Sequence, residues 1–401
     1  MSHKIYSIQS GNSFYKRINI TVIIFVMSIL SISTPAQINL FGSDSTNDAS
    51  SECSHYSLNL AVDNNGISFG NSQNINGIRF NVIDCDIQNI NGINITFWKP
   101  EESPGSQVNG LSFGVAPYAD ELNGISIGLA SVLCGRNMTG INIGGIANVS
   151  GGNIYGINFG SLALVAKDNI YGINISGLAQ VANQDISGIN FGGLALVSQG
   201  SLTGINISGL ASVANKEIMG LNFGSLALVS QKDVYGINIS GLATVAKDIY
   251  GINFGGLALV SENEMQGISL SGLAVVAKNG FTGFNFGGLA VVSDEGEITG
   301  INLSLGKLRS FSSIVGINFA GYNVETEDLT GLNITGIWVK TEDLTGFSVS
   351  PFHKISGSQE GIVIGILNIA KSLQGIQIGL LNIVKDNPAP FKILPFINFH
   401  F

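Results

Sequence analysis

Charge is scarce in this 401-residue chain: 11% of its residues are Asp, Glu, Lys or Arg, against about a quarter in a typical soluble domain. Basic residues are the scarcer kind, 18 against 27 acidic ones, so the chain has no basic patch with which to hold nucleic acid. Cysteine is limited to Cys53, Cys85 and Cys134, which fits neither a disulfide framework nor a paired metal site. One bridge, with Cys53 and Cys85 the better-placed pair, is compatible with an oxidising compartment; three isolated thiols are the preferred reading. What the chain has instead is glycine, 53 residues of it, within a 45% apolar composition and a mean hydropathy of +0.35. Such a chain hides much of its surface.

Lys16 and Arg17 precede an uncharged run from Ile18 to Ile32, and Ser33-Thr34-Pro35-Ala36 then supplies small residues before Gln37. This is the pattern of a signal peptide over residues 1–36, with cleavage expected after Ala36. About fifteen apolar residues fall short of the ~20 needed for a spanning helix, and no basic stop-transfer flank follows. Removing that leader leaves 15 basic against 27 acidic residues, a net of −12. Residues 37–53 are polar and too poor in apolar side chains to pack, and are expected to be flexible.

From residue 54 to 401 the chain reads as one repeat domain, most regular over 124–303. A glycine followed by an alternating apolar pattern recurs, sixteen residues apart through the middle, as at Gly140, Gly156, Gly172, Gly188 and Gly204. In the unit that starts at Gly172, Ile173, Ile175, Gly177, Ala179 and Val181 fall on one side of a period-2 pattern, and Gly172, Asn174, Ser176, Leu178 and Gln180 on the other. Period 2 means strand, and glycines costing about 1 kcal/mol each in a helix interior argue the same way. Units also alternate between an Asn-Phe-Gly form (Asn158, Asn190, Asn222) and an Asn-Ile-Ser form (Asn174, Asn206, Asn238), so the full repeat is a pair.

Two all-β architectures fit. The preferred one is a large antiparallel, transmembrane-type β-barrel in which each pair is a hairpin. Strands of 12 or 13 residues reach about 40 Å, or about 31 Å when tilted, and roughly 22 of them would close the wall. Charges gather in turns such as Lys167-Asp168, Lys232-Asp233 and Lys247-Asp248, the chain ends on the aromatic Phe401, and Trp98, Trp338, Tyr155, Tyr171, Tyr235 and Tyr250 fall near strand ends where a barrel has its girdle. The alternative is a parallel β-solenoid. It is favoured by the recurrence of Asn142, Asn158, Asn174 and Asn190, which suits an amide ladder, and by small residues such as Gly177 and Ala179.

The segments Gly361-Ile-Val-Ile-Gly-Ile-Leu-Asn368 and Gly375-Ile-Gln-Ile-Gly-Leu-Leu-Asn382, followed by Pro388 and Leu394-Pro-Phe-Ile-Asn-Phe-His-Phe401, resemble a family of bacterial surface repeat proteins built from G-L-Q-I-G-L-V-N units. The resemblance is close over residues 361–401 and looser over 66–360, where Asn replaces Gln. It implies a secreted, envelope-associated protein with no assigned reaction, and it carries over no catalytic residue.

Three stretches around Ser68, Ser112 and Ser126 match G-x-S-x-G, but a nucleophile elbow needs a strand, a sharp turn and a helix, and here each Ser takes the Asn place within a strand. Beyond the leader only His55, His353 and His400 could serve as a base. The turn acids are too few for the six to eight oxygens of a calcium site. No catalytic, cofactor-binding or metal-ligating residue is therefore singled out, and no cofactor is expected. The expectation is a non-catalytic protein of the outer membrane or cell surface with a structural or interaction role. Outer-membrane lipid is its expected partner, with a porin-like channel and a surface-attached solenoid adhesin as alternatives. Because the strand interiors carry almost no charge, an open, selective lumen is not expected.

Overall fold

The computed structural model of the chain describes residues 56–98 and 101–400. The expected leader, the polar segment 37–53 and Cys53 lie outside the described residues, and the described residues cluster as one compact unit.

Each sixteen-residue unit folds as two strands with a corner between them. The chain runs through a long strand, Ile170–Ser176, rounds the corner at Gly177-Leu178, forms a short strand, Ala179–Ala182, and returns through a polar turn at 183–185. At Gly177 the corner leaves no room for a side chain, because a Cβ there would lie 2.0 Å from the carbonyl oxygen of Ser161, which holds the same place in the unit before.

Successive units stack in parallel and in register. Ile170–Ser176 pairs with Ile154–Gly160 on one side and Ile186–Gly192 on the other, placing Gly156, Gly172 and Gly188 in one column and Asn158, Asn174 and Asn190 in another. The short strands stack the same way, Ala163 on Ala179 on Ala195. Antiparallel pairing occurs at the two ends, where Ser57–Val62 closes on Asn65–Gly70 and Ile393–His400 on Ser372–Val384. The fold is thus a parallel β-solenoid.

This corrects the barrel expectation. A hairpin barrel pairs neighbouring units antiparallel, whereas here each residue pairs with its equivalent in the next unit. The presumed 12- to 13-residue strand is broken at the corner into pieces of seven and four, so neither has the reach of a tilted spanning strand. The porin-like alternative falls with the barrel, because two stacked sheets in contact enclose no lumen. The aromatic girdle dissolves as well: Tyr155 stacks on Tyr171 (ring centroids 5.4 Å), Tyr235 on Tyr250 (4.9 Å) and Trp338 on Phe352 (4.9 Å), each a contact between adjacent turns. The aromatic C-terminal strand serves as a cap on the last turn.

The interior is narrow and mixed. Ile170, Ile186, Leu202 and Ile218 supply one large apolar side chain per turn beside the polar edge, and Ala182 and Ala214 face them from the short strands. Deeper in, Asn142 donates through Nδ2 to Asn158 Oδ1 at 2.8 Å, and the same bond passes from Asn158 to Asn174 and onward to Asn253. It satisfies a buried amide column that would otherwise be costly. The two-unit alternation has an inner cause. Where the long strand ends in Gly160, Leu164 fills the space, and where it ends in Ser208 or Ser240, the hydroxyl meets Ser212 or Thr244 at 2.9 Å.

Near the N-terminal end the Asn column is occupied by Arg79, paired with Ser68 and Asn94 in the adjacent turns. The buried guanidinium is met by Asp84 and by Asn94 Oδ1 and Asn71 Oδ1, both at 2.9 Å, and Asp84 also accepts from Asn81 and Asn94. Cys85, beside this cluster, is disulfide-bonded, and Cys134 is a free buried thiol, which corrects the expectation of three isolated thiols.

Candidate interaction surface

Alternation along the long strand decides what faces outward. With Ile170, Gly172, Asn174 and Ser176 turned in, Tyr171, Ile173 and Ile175 must point out. The polar Asn is therefore inside and the apolar Ile pair outside, the reverse of an ordinary half-buried sheet.

The two outward columns run the length of the solenoid. The first passes through Ile157, Ile173, Ile189, Ile205 and Leu221, the second through Phe159, Ile175, Phe191, Ile207 and Phe223. From Ile67 and Phe69 to Ile376 and Ile378 there are twenty-one such pairs, and every position is Ile, Leu, Phe or Val. Not one of them is buried within the chain. Ile157 is 48% exposed and Phe191 45%. The corner adds a third column through Leu162, Leu178, Leu194, Leu210 and Leu226.

With strands ~4.8 Å apart and ~3.3 Å per residue, the two columns and the corner cover on the order of 1,500 Å². A monomer's largest apolar patch is ordinarily about 300–600 Å². Scattered exposed leucines need no explanation, but a strip several times that size, with no polar residue in either column, is unlike an ordinary monomer surface and makes this face the candidate interaction surface.

Through the central units charge is kept to the opposite edge. The turns hold Lys167-Asp168, Lys216-Glu217, Lys232-Asp233 and Glu262, and Lys232 lies 3.6 Å from Glu217 of the preceding turn. The outer face of the short strands is apolar through Val165, Val181 and Val197, then turns charged at Lys307, Arg309, Glu325 and Lys340. Burial would raise the Glu325 carboxyl, but Lys307 at 2.8 Å and Lys340 at 2.9 Å outweigh it and hold its pKa at about 2. The two outward columns of the long strands are the part that stays apolar to the end.

The serines of the G-x-S-x-G stretches take the Asn place, as expected: Ser68, Ser112 and Ser126 are buried in the inner column. The fold also assembles a relay that nothing in the spacing announces. Ser348 Oγ lies 2.9 Å from His353 Nε2, and His353 Nδ1 lies 2.9 Å from Asn368 Oδ1. Because that Asn oxygen can only accept, Nδ1 carries the proton and Nε2 accepts from the Ser348 hydroxyl. The order resembles a nucleophile–base–orienter set, yet the three residues are 0%, 1% and 0% exposed inside the stack, and burial pushes the imidazole down to about 4. The geometry fits an internal polar plug in the column that holds Gln180 and Thr244 in other turns. Among the described residues no group of three His, Cys, Asp or Glu side chains is placed to hold a metal ion.

Comparison with family models, with curated proteins and with solved structures finds no match to this chain.

Proposed function

We propose that the protein is a cell-surface repeat protein of structural or adhesive kind, acting through the apolar long-strand face of its solenoid. The observation that carries this reading is the uninterrupted double column of outward Ile, Leu, Phe and Val. Fold stability alone does not ask for it, since the chain closes its interior without those side chains. The leader-like residues 1–36 and the resemblance of residues 361–401 to surface repeat proteins support placement in the envelope.

The test joins location to the face. Intact host cells are treated with protease while mature N-termini are read by mass spectrometry. In parallel, chains carrying Ile173→Asn, Phe191→Asn and Ile207→Asn are compared with wild type for attachment to surfaces and to neighbouring cells. The expected result is a chain that begins at Gln37, is cleaved on intact cells, and loses attachment when the face is made polar while its thermal unfolding is unchanged. A chain retained inside the cell, or one whose polar-face variant attaches as well as wild type, overturns the proposal.

A further inference from the structure

The outer face carries a corrugation that the chain's own packing does not require. Along the second outward column large and smaller residues alternate: Phe159, Ile175, Phe191, Ile207, Phe223, Ile239, Phe254, Leu270, Phe286, Leu303, Phe319, Ile334. The inner alternation of Gly with Leu and Ser with Ser or Thr is accounted for by interior volume, but these side chains point the other way. A covering layer with the same two-turn period, roughly 9.6 Å, would explain them. Fluid lipid has no such period. Lipid-surface binding also draws on Lys and Arg, whereas residues 37–401 hold 15 basic against 27 acidic side chains and neither outward column holds any charge.

We infer that the occupant of this face is a second copy of the chain, packed face to face as a twofold dimer with the two solenoids antiparallel. The inference rests on the reading of the face as an interaction surface. Large–small complementarity requires the twofold to fall midway between a Phe turn and the smaller turn beside it, and one such register folds the twelve alternating positions back on themselves about the midpoint between Ile239 and Phe254. Ile239 then faces Phe254 of the second copy, Phe223 faces Leu270, Ile207 faces Phe286, Phe191 faces Leu303, Ile175 faces Phe319 and Phe159 faces Ile334. The first column obeys the same rule without adjustment: Phe284 falls opposite Ile205, and Phe347 opposite Ile141. A shift by one turn would place Phe223 on Phe254. Eighteen turns overlap in this arrangement, burying on the order of 2,400 Å² in total, within the 2,000–5,000 Å² of obligate homodimers. A twofold contact of this kind is closed and does not propagate into fibres.

The experiment uses the full processed chain. Sedimentation equilibrium without detergent is run on wild type and on a variant in which Phe159, Phe191, Phe223, Phe254, Phe286 and Phe319 are all changed to Ile. That variant keeps the face apolar and removes only its relief. The expected result is a wild-type dimer and a dissociation constant at least a hundredfold higher for the variant, with circular dichroism unchanged. Spin labels at Lys247→Cys should lie within ~20 Å of each other across the dimer, and labels at Gln184→Cys roughly 34 Å apart, seven strand spacings. A wild-type monomer, a dimer indifferent to the six substitutions, or label distances that fail this order overturn the inference. A monomer that floats with phosphatidylethanolamine–phosphatidylglycerol vesicles identifies lipid as the occupant and leaves the interaction-surface reading standing. A monomer that binds neither vesicles nor cells removes both.

Discussion

The inner amide ladder breaks at one turn, and the break can be repaired. Asn253, Ser269 and Asn285 occupy the same column in three consecutive turns. The ladder that reaches Asn253 resumes from Asn285 through Asn302 and Asn318 to Asn333. At the gap three buried atoms have no hydrogen-bond partner within the chain: Asn253 Nδ2, Ser269 Oγ and Asn285 Oδ1. Ser269→Asn supplies an oxygen for the first and an amide for the third, in the donor-to-acceptor direction of the existing ladder, and removes the second. Each orphan costs about 1 kcal/mol, the low end of the usual range, and the two new bonds act by relieving that cost. Ordering a longer side chain, and fitting it against the neighbouring turns, takes back about as much as one orphan costs. The net expectation is a stabilisation of about 2 kcal/mol. For a unit of this size that raises the melting temperature by about 3 °C. Because stacked repeats can unfold in segments, hydrogen exchange at the flanking amides should be followed beside calorimetry, with slower exchange expected over the strands Asp248–Gly255 to Gly280–Gly287. Ser269→Ala, which removes only the hydroxyl, should gain at most about 1 kcal/mol. If Ser269→Asn is neutral or destabilising while Ser269→Ala is not, the ladder is not the source of interior stability and the reasoning fails.

Gly204 has φ of +108°, and a Cβ there would lie 2.1 Å from the Gly188 carbonyl oxygen, so Gly204→Ala should cost about 3 kcal/mol or more in a urea titration. Asp84→Ala strands the buried Arg79 guanidinium and should destabilise by about 3–5 kcal/mol, read by thermal melting. Burial holds His353 at about 4 against 6.5 for the free side chain, so the unfolded chain takes up its proton first as pH falls. Stability from this group is complete above pH 6.5 and declines between 6.5 and about 4, by roughly 3 kcal/mol in all, and His353→Gln should flatten that part of the urea midpoint–pH curve. An unchanged slope in the variant would show that His353 is not the group responsible.

Strand character, the sixteen-residue unit, the gathering of charge in the turns of the central units and the pairing of alternate units follow from local pattern, and they were legible because period 2 and turn chemistry are properties of neighbouring residues. The direction of pairing was not. Antiparallel and parallel stacking of one repeat use the same residues, and only the position of each unit beside the next, Gly172 against Gly156 and Asn174 against Asn158, separates them. The corner at Gly177 was hidden for the same reason. The close approach at Gly177 is made by a carbonyl sixteen residues earlier, and without that neighbour the chain reads as one strand long enough to span a membrane. The outward placement of Ile173 and Ile175 is also a tertiary result, because both faces of the strand hold apolar residues and their partition depends on the buried amide ladder. The Ser348–His353–Asn368 relay joins two adjacent turns and has no spacing by which to be recognised. Local physics determined that this chain makes repeating strands; stacking decided which side of them is left exposed.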